Sequence, residues 1–114
     1  MIKTVALLAC KDGLSHADFV KHWREIHGPL AYVCPGVARY TQTEVKSSSF
    51  RTDGVAGLDV AIDGIAELWF ADPAALAAFS ASPATRALRE DGTLFIGRQI
   101  SFMTEETVII PREG

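Results

Sequence analysis

The chain has 114 residues, a net charge of −3 and 48% hydrophobic residues, a composition typical of a single globular domain over residues 1–114. A chain of this length buries about two-thirds of its unfolded surface, so we expect folding without a disulfide or metal. The acidic balance argues against nucleic acid as a partner. No apolar run reaches the length of a transmembrane helix, so we expect no membrane partner either. Cys10 and Cys34 lack the spacing of a zinc or redox site, which favours reduced thiols in a cytoplasmic protein.

The first elements of the chain are a predicted strand and a predicted helix. Residues 2–10 are apolar on both alternating faces, which is typical of a strand that is covered on both sides. Ser15 is a good N-cap for a helix over residues 16–27. Gly28 and Pro29 predict the end of that helix. Its apolar positions, expected to face the core, are Phe19, Trp23, Ile26 and Leu30.

The rest of the chain predicts three more strands and one further helical region. Asp72 and Pro73 are typical of a helix N-cap and first turn, and Pro83 is expected to break or restart that helix. In chain order the pattern predicts a strand over 37–46, a polar loop over 47–57, a strand over 65–71, helices over 73–81 and 84–90, and a strand over 99–110.

This order predicts an α+β fold of the ferredoxin-like type, βαββαβ, with a four-stranded antiparallel sheet and two helices on one face. Two helices cover only one face of such a sheet. Because residues 2–10 are apolar on both faces, we expect a second copy of the sheet to cover the other one. The expected partner is therefore a second copy of this chain, in a homodimer with room for a ligand.

Four segments resemble the EthD-like family of the dimeric α/β-barrel superfamily. They are SHADFVKHWREIHGPL, PGVARY, GIAELWFADPAAL and FIGRQISFMTEETVI, which follow each other in the same order along nearly the whole chain. The resemblance implies a dimeric α/β barrel that uses no cofactor and takes a small hydrophobic, oxygenated ligand. Members of that superfamily include lactone isomerases, polyketide cyclases and small lyases.

The resemblance also assigns individual residues. His27 matches a site histidine that ends the first helix in a lactone isomerase of the family, and Tyr40 matches its tyrosine after a Pro-Gly turn. A site cysteine of that isomerase corresponds to Leu68, and its loop histidine has no counterpart in residues 47–60. The resemblance therefore implies a pocket beside Leu68, without the isomerase's complete set of site residues.

A histidine base and a tyrosine donor suit proton abstraction beside a carbonyl group. His27 is predicted at a helix C-terminus, where the helix dipole favours the imidazolium form. The structural alternatives are that His27 only caps the helix and that Tyr40 is only an aromatic lining residue. His22 shares its helical side with Phe19, which favours either a place in the pocket or a structural role.

Glu67 is the remaining catalytic candidate, because a carboxylate in a core strand needs a partner. We expect that partner to be His22, His27 or Arg39. If Leu68 lines the pocket, strand alternation predicts that Glu67 faces the helices. The candidate substrate-binding residues are Gln42, Leu68, Trp69, Phe70 and Phe102.

His22 and His27 are five positions apart in sequence, which is unlike the spacing of two metal ligands on one α-helical face, so we expect no metal. The sequence favours a small enzyme that acts without a cofactor, of the isomerase, cyclase or lyase type, on a cyclic lactone or a polyketide-like carbonyl compound. The main alternative is a non-catalytic accessory protein that binds a small molecule. A heme-handling barrel is a third possibility.

Overall fold

The computed structural model describes residues 1–112; the predicted domain of residues 1–114 thus has its last two residues outside the described range. The strands are β1 (Ile2–Cys10), β2 (Val37–Glu44), β3 (Gly64–Phe70) and β4 (Ile96–Thr104). The helical elements are α1 (His16–His22), a π-helical turn (Trp23–His27), α2 (Gly28–Leu30), a 3-10 turn (Ala31–Val33), α3 (Pro73–Ala81) and α4 (Pro83–Gly92).

The four strands form one sheet in the order β2-β3-β1-β4, and each neighbouring pair is antiparallel. The helical elements pack on one face of this sheet, and their buried side chains meet those of alternate strand residues such as Leu8 and Phe70. This is the predicted ferredoxin-like architecture. Within residues 1–112, no helix is both long enough and apolar enough to cross a membrane.

The core has two clusters on the helical side of the sheet. One cluster contains Leu8, Phe19, Val20, Trp23 and Phe95; the other contains Cys34, Phe70, Phe79 and Leu88. The even-numbered residues of β1 and β3 face these clusters, because side chains alternate along a strand. The odd-numbered residues of both strands therefore lie on the open face of the sheet.

The predicted end of the first helix at Gly28 is wrong. Gly28 continues the helical path, and its backbone N–H bonds to the carbonyl of Trp23 in the wider pattern of a π turn. The helical path then runs through α2 to Val33. The added residue in the turn rotates Ile26 outward, so Ile26 is 53% exposed and does not anchor the helix to the core as predicted.

The predicted helix caps agree with the structure. Ser15 accepts a hydrogen bond from the backbone N–H of Asp18, and Asp72 accepts one from Ala75. These side chains satisfy N–H groups that have no partner within the helix. Pro83 restarts the helix as the first residue of α4, and Ser82 caps it.

The last strand was predicted over residues 99–110, but β4 runs from Ile96 to Thr104. Its partner determines both ends: Cys10 at the end of β1 pairs with Ile96, and Lys3 near the start pairs with Thr104. Beyond Thr104 only Ile2 of β1 remains, so residues 106–110 have no strand residue to pair with, although they are rich in β-branched side chains. Hydrophobic pattern alone does not show where the partner strand stops.

Candidate functional site

A cavity of about 540 Å³ lies between the sheet and the helices. Apolar side chains from both layers form its interior, and His27 and Tyr40 add polar groups to the wall. Leu68 and Phe70, both predicted to bind substrate, also line it. An apolar cavity with a few convergent polar groups is the usual form of a small-molecule site.

The π turn places two histidines on one carboxylate. Nδ1 of His27 lies 2.8 Å from Oδ2 of Asp91, and Nε2 of His22 lies 3.1 Å from both carboxylate oxygens. Residues three or four apart share a face of an α-helix. The π turn adds one residue to the turn, so His22 and His27, five positions apart, reach the same side.

The electrostatics of His27 differ from the sequence-based expectation. Its side chain is 11% exposed. Burial lowers the pKa of His27 below the usual histidine value, and the Asp91 carboxylate only partly opposes this. The expected preference for imidazolium at a helix C-terminus is therefore wrong, because the helical path continues past His27 and the ring is buried.

Asp91 also determines which nitrogen of His27 is available. An ionised carboxylate only accepts hydrogen bonds, so the neutral imidazole carries its proton on Nδ1 and donates it to Asp91. Nε2 then has a lone pair. Among residues 1–112, no group hydrogen-bonds to this atom, and it is not enclosed by protein. This is the geometry of a general base whose tautomer is fixed by a hydrogen bond to a carboxylate.

The Tyr40 hydroxyl is oriented by Gln42. The amide nitrogen of Gln42 donates to the Trp23 carbonyl at 2.8 Å and to the Tyr40 oxygen at 2.8 Å. The phenol oxygen is thus an acceptor toward Gln42, and its own O–H proton is free to donate elsewhere. Tyr40 lines the cavity, so a ligand oxygen there is a suitable acceptor.

Burial raises the pKa of Tyr40, and Gln42 and the Trp23 indole oppose the shift. The phenol is therefore protonated at neutral pH and acts as a donor. The indole Nε1 of Trp23 is buried and makes no hydrogen bond with the described part of the chain.

Gly28 allows the close approach of Gln42. A Cβ atom at position 28 would lie 3.1 Å from Nε2 of Gln42, closer than ordinary van der Waals contact. The Gly-Pro pair that the sequence pattern assigned to a helix end therefore serves another purpose. Gly28 leaves space for the amide that holds the Trp23 carbonyl and the Tyr40 hydroxyl.

Glu67 does not join this group. Glu67 forms an ion pair with Lys3 at 2.7 Å, so its predicted pairing with His22, His27 or Arg39 is wrong. Its predicted orientation toward the helices is also wrong, because Ala66, Leu68 and Phe70 of β3 line the cavity instead. Strand alternation then directs Glu67 to the open face of the sheet.

Three predicted substrate-binding residues do not line the cavity: Gln42, which lies behind Tyr40, and Trp69 and Phe102. Trp69 is on the open face, with the Lys3 ammonium and the Arg39 guanidinium each 4.9 Å from its ring centroid. Phe102 pairs with Val5, whose other neighbour is Glu67, and is 44% exposed. The cavity therefore brings together His27, Tyr40, Leu68 and Phe70, with His22 and Gln42 directly behind the polar groups.

Asp91 was not identified from the sequence; it follows directly after the helix predicted over residues 84–90 and lies in the last turn of α4. One signal was present: a carboxylate near a helix C-terminus is locally unfavourable, because that end of the helix dipole is negative. Such a local conflict often marks a functional position. The π turn itself has no sequence signature that separates it from an α-helical turn.

No group of three or more histidine, cysteine, aspartate or glutamate side chains with metal-binding geometry is found in the described range, residues 1–112. The histidines near the cavity instead share Asp91. The three residues therefore form one hydrogen-bonded group.

Comparison with known proteins gives a similar protein whose name states an activity. The 4-carboxymethyl-4-methylbutenolide mutase of Pseudomonas reinekei is 34% identical over 109 residues, which are 95% of this chain and 100% of that protein. The alignment therefore spans nearly the whole chain, including elements of the sheet and of the helical layer that line the cavity.

Solved structures show the same fold at lower identity. An ethyl tert-butyl ether D (EthD) family protein from Bacillus halodurans superposes with a TM-score of 0.73 and 21% identity, covering 94% of this chain and 99% of that one. A dimeric ferredoxin-like protein from Thermobifida fusca gives a TM-score of 0.65 and 16% identity, covering 90% and 88%. The fold is thus ferredoxin-like by comparison as well as by topology.

The family follows from a match of the sequence itself. The model of the EthD domain matches residues 11–99, from the turn after β1 into β4. This range includes His27, Tyr40 and Asp91. The chain belongs to the EthD domain family.

Proposed function

We propose that this protein is an isomerase-type enzyme that acts on a small unsaturated lactone or related carbonyl compound. The observation that carries the proposal is the unpartnered Nε2 of His27 at the cavity, with Asp91 behind the ring. The catalytic groups are side chains of the chain itself.

In this mechanism His27 takes a proton from the methylene carbon next to the carboxyl group of the substrate. The electron pair of the broken C–H bond forms a C=C bond as the neighbouring ring C–O bond breaks, and the ring oxygen leaves as a carboxylate oxygen. The O–H of Tyr40 donates a hydrogen bond to that oxygen as its negative charge develops. Asp91 stabilises the imidazolium that forms, and His27 returns the proton to carbon as a carboxylate oxygen adds to the diene and closes an isomeric lactone.

The name of the similar mutase supports this class of substrate. A butenolide is an unsaturated lactone, so it offers oxygen acceptors to Tyr40, and in 4-carboxymethyl-4-methylbutenolide the acidic C–H bonds are those of the methylene group beside the carboxyl group. The cavity volume of about 540 Å³ suits a molecule of this size. Leu68 lines the cavity at the position where the resemblance places a cysteine. Because leucine has no thiol, this position favours proton transfer by His27 over thiol chemistry.

The test is turnover of 4-carboxymethyl-4-methylbutenolide by the purified protein in D₂O, followed by proton NMR. We expect product formation and deuterium incorporation at carbon. His27→Gln should reduce the rate at least about a hundredfold, the usual contribution of a general base. His16→Gln is the matched control, because His16 bonds to Asp63 and Glu44 and does not line the cavity.

The outcomes separate the enzyme from a binding protein. Tight binding of the butenolide without turnover or deuterium exchange would contradict the proposed catalysis and favour the accessory role. Equal rates for the His27 and His16 variants would contradict the assignment of the base.

We also propose that the protein is a homodimer joined through the open face of the sheet. Exposed apolar side chains on this face include Ile100 and Phe102, and burial of such a surface favours association. The Thermobifida fusca neighbour is described as dimeric. Light scattering should give twice the chain mass, and Phe102→Asp should give a folded monomer; a monomeric parent protein would overturn the proposal.

Both cysteines are free, which supports a cytoplasmic location.

A further inference from the structure

We infer that Arg89 binds a carboxylate of the ligand at the mouth of the cavity, so that the substrates are small apolar acids. The inference rests on the proposed function, because it assumes that this cavity is the active site. It adds the charge of the substrate and the direction in which the substrate enters.

The cavity has an apolar interior and a polar rim. Helix α4 forms part of both: Leu88 is buried, while the next residue, Arg89, lines the cavity and is exposed. The other exposed polar residues of the lining come from α3, from the segment that follows α4 and from β4; they are Ser80, Thr93, Arg98, Gln99 and Ser101. A ligand that fits this apolar interior and polar rim is apolar at one end and polar at the other.

Two arginines line the cavity, Arg89 and Arg98, and neither has an ion-pair partner in residues 1–112, whereas several other cations of the chain do. Carboxylate partners occupy Lys3, Arg24, Lys46 and Arg51. Glu90, the next residue in sequence, forms no ion pair with Arg89 in the described range, and Asp91 is held by two imidazoles. Arg89 therefore keeps its N–H donors for an external acceptor, and their planar arrangement matches a carboxylate.

Arg89 also offsets a charge conflict in the site. A ligand carboxylate that entered the cavity carboxylate-first would approach Asp91, which is 11% exposed beside His27. Like charges repel strongly where water is scarce. With its carboxylate held at the rim by Arg89, the ligand places its apolar ring inward, where His27 and Tyr40 line the wall.

The experiment measures binding rather than turnover. Isothermal titration compares 4-carboxymethyl-4-methylbutenolide with its methyl ester, which has the same ring and no charge. We expect the parent protein to prefer the acid, and Arg89→Gln to weaken acid binding about tenfold or more without changing ester binding. Arg86→Gln is the control, because it removes the same charge from α4 at a position that does not line the cavity.

The results distinguish this inference from the proposed function. Equal affinity of the parent protein for acid and ester, or equal losses for the Arg89 and Arg86 variants, would overturn the carboxylate site even if the butenolide is turned over. Selective loss of acid binding in Arg89→Gln supports the site even if turnover is absent. Thermal melting of each variant confirms that the fold is intact.

Discussion

Nδ1 of His27 lies 2.8 Å from Oδ2 of Asp91, although 64 positions separate the two residues in sequence. The π turn carries the imidazole and the end of α4 carries the carboxylate. The contact fixes the proton of the neutral ring on Nδ1 and leaves Nε2 as the acceptor. The relative position of these two helical elements therefore decides whether His27 can act as a base.

Asp91→Asn should lower kcat at least about tenfold while preserving the fold, because an amide neither fixes the tautomer reliably nor stabilises an imidazolium. Asp91 raises the pKa of His27 against the stronger effect of burial. Its removal should therefore lower the pKa of His27 further. Nitrogen-15 NMR of the imidazole across pH 4–9 measures this shift directly.

The matching control for Asp91→Asn is Asp72→Asn. Asp72 caps α3 and has no contact with either histidine near the cavity. That variant should leave the His27 titration unchanged. A His27 pKa that rose in Asp91→Asn, or an unchanged pH profile of kcat/KM, would contradict the assigned role of the carboxylate.

The sheet and most helix starts were predictable because their signals are local. Apolar residues on both alternating faces of residues 2–10 predicted β1. The caps at Ser15 and Asp72 predicted helix starts that the structure contains. The ends of α1 and β4 were mispredicted because they depend on distant partners. Pairing with β1 determines where β4 stops, and packing of the helix on the sheet accommodates a π turn at Trp23–His27.

The face occupied by Glu67 was also unpredictable from pattern. Residues 2–10 are apolar on both faces, so alternation alone does not tell which face the helices cover. Leu68 was expected to line a pocket, and it does line the cavity, but on the helical side of the sheet. Glu67 forms an ion pair instead with Lys3 of the neighbouring strand, a diagonal neighbour in a register that places Lys3 opposite Trp69 and Val5 opposite Glu67.

Gly28→Ala should reduce activity more than stability. A Cβ at position 28 would lie 3.1 Å from the Gln42 amide, so the amide must move away from the Tyr40 hydroxyl. The helical gain of alanine over glycine, about 1 kcal/mol, offsets much of the steric cost. We expect a change in unfolding free energy within about 1 kcal/mol and a severalfold loss of kcat. Denaturant unfolding and steady-state kinetics provide the two measurements.

Gln42→Ala should give the same kinetic loss without the steric conflict, since the Tyr40 hydroxyl loses its orienting donor. The two effects should not add in the double variant, because both act through one amide. Full additivity of the two losses would show that Gly28 acts by another route.

Phe95→Leu should make the side chains of His22 and His27 less well ordered, because both rings pack on Phe95. Phe95 is fully buried, and its ring lies 4.6 Å from the His22 ring and 5.0 Å from the His27 ring, measured between centroids. Leucine fills less of this space and offers no aromatic face, so we expect a loss of about 1–2 kcal/mol of unfolding free energy. The activity should fall as well. Phe79→Leu, in the other core cluster, should destabilise the protein similarly but leave the His27 NMR signals in place.

His16 links the end of β2 to the residue before β3. Nδ1 of His16 lies 2.7 Å from Asp63, and Nε2 lies 3.0 Å from Glu44. The hydrogen bond to Asp63 and then that to Glu44 raise the pKa of His16, while the partial exposure of the ring leaves only a weak opposing effect of desolvation. Arg24 and Lys46 also contact Glu44, and the backbone N–H of Cys10 donates to Asp63.

The sign of the pH dependence follows from these contacts. Because the pKa of His16 is raised by folding, its stabilising contribution is complete below the unfolded value of about 6.5 and is lost as the pH rises through the folded pKa. The pKa of Glu44 is lowered chiefly by His16, and that of Asp63 is lowered because its hydrogen bonds outweigh the effect of burial. Their contributions are therefore lost as the pH falls below about 4.

His16→Gln should thus lower Tm most between about pH 5 and 6, with a difference from the parent protein that shrinks toward alkaline and strongly acidic pH. Differential scanning calorimetry from pH 3 to 9 measures the difference. Lys21→Gln is the control, since Lys21 is exposed on the same helix and forms no ion pair in the described range. Its effect on Tm should be constant over pH 5–9. A His16→Gln difference that grew with rising pH would have the wrong sign for an imidazolium held by Asp63 and Glu44.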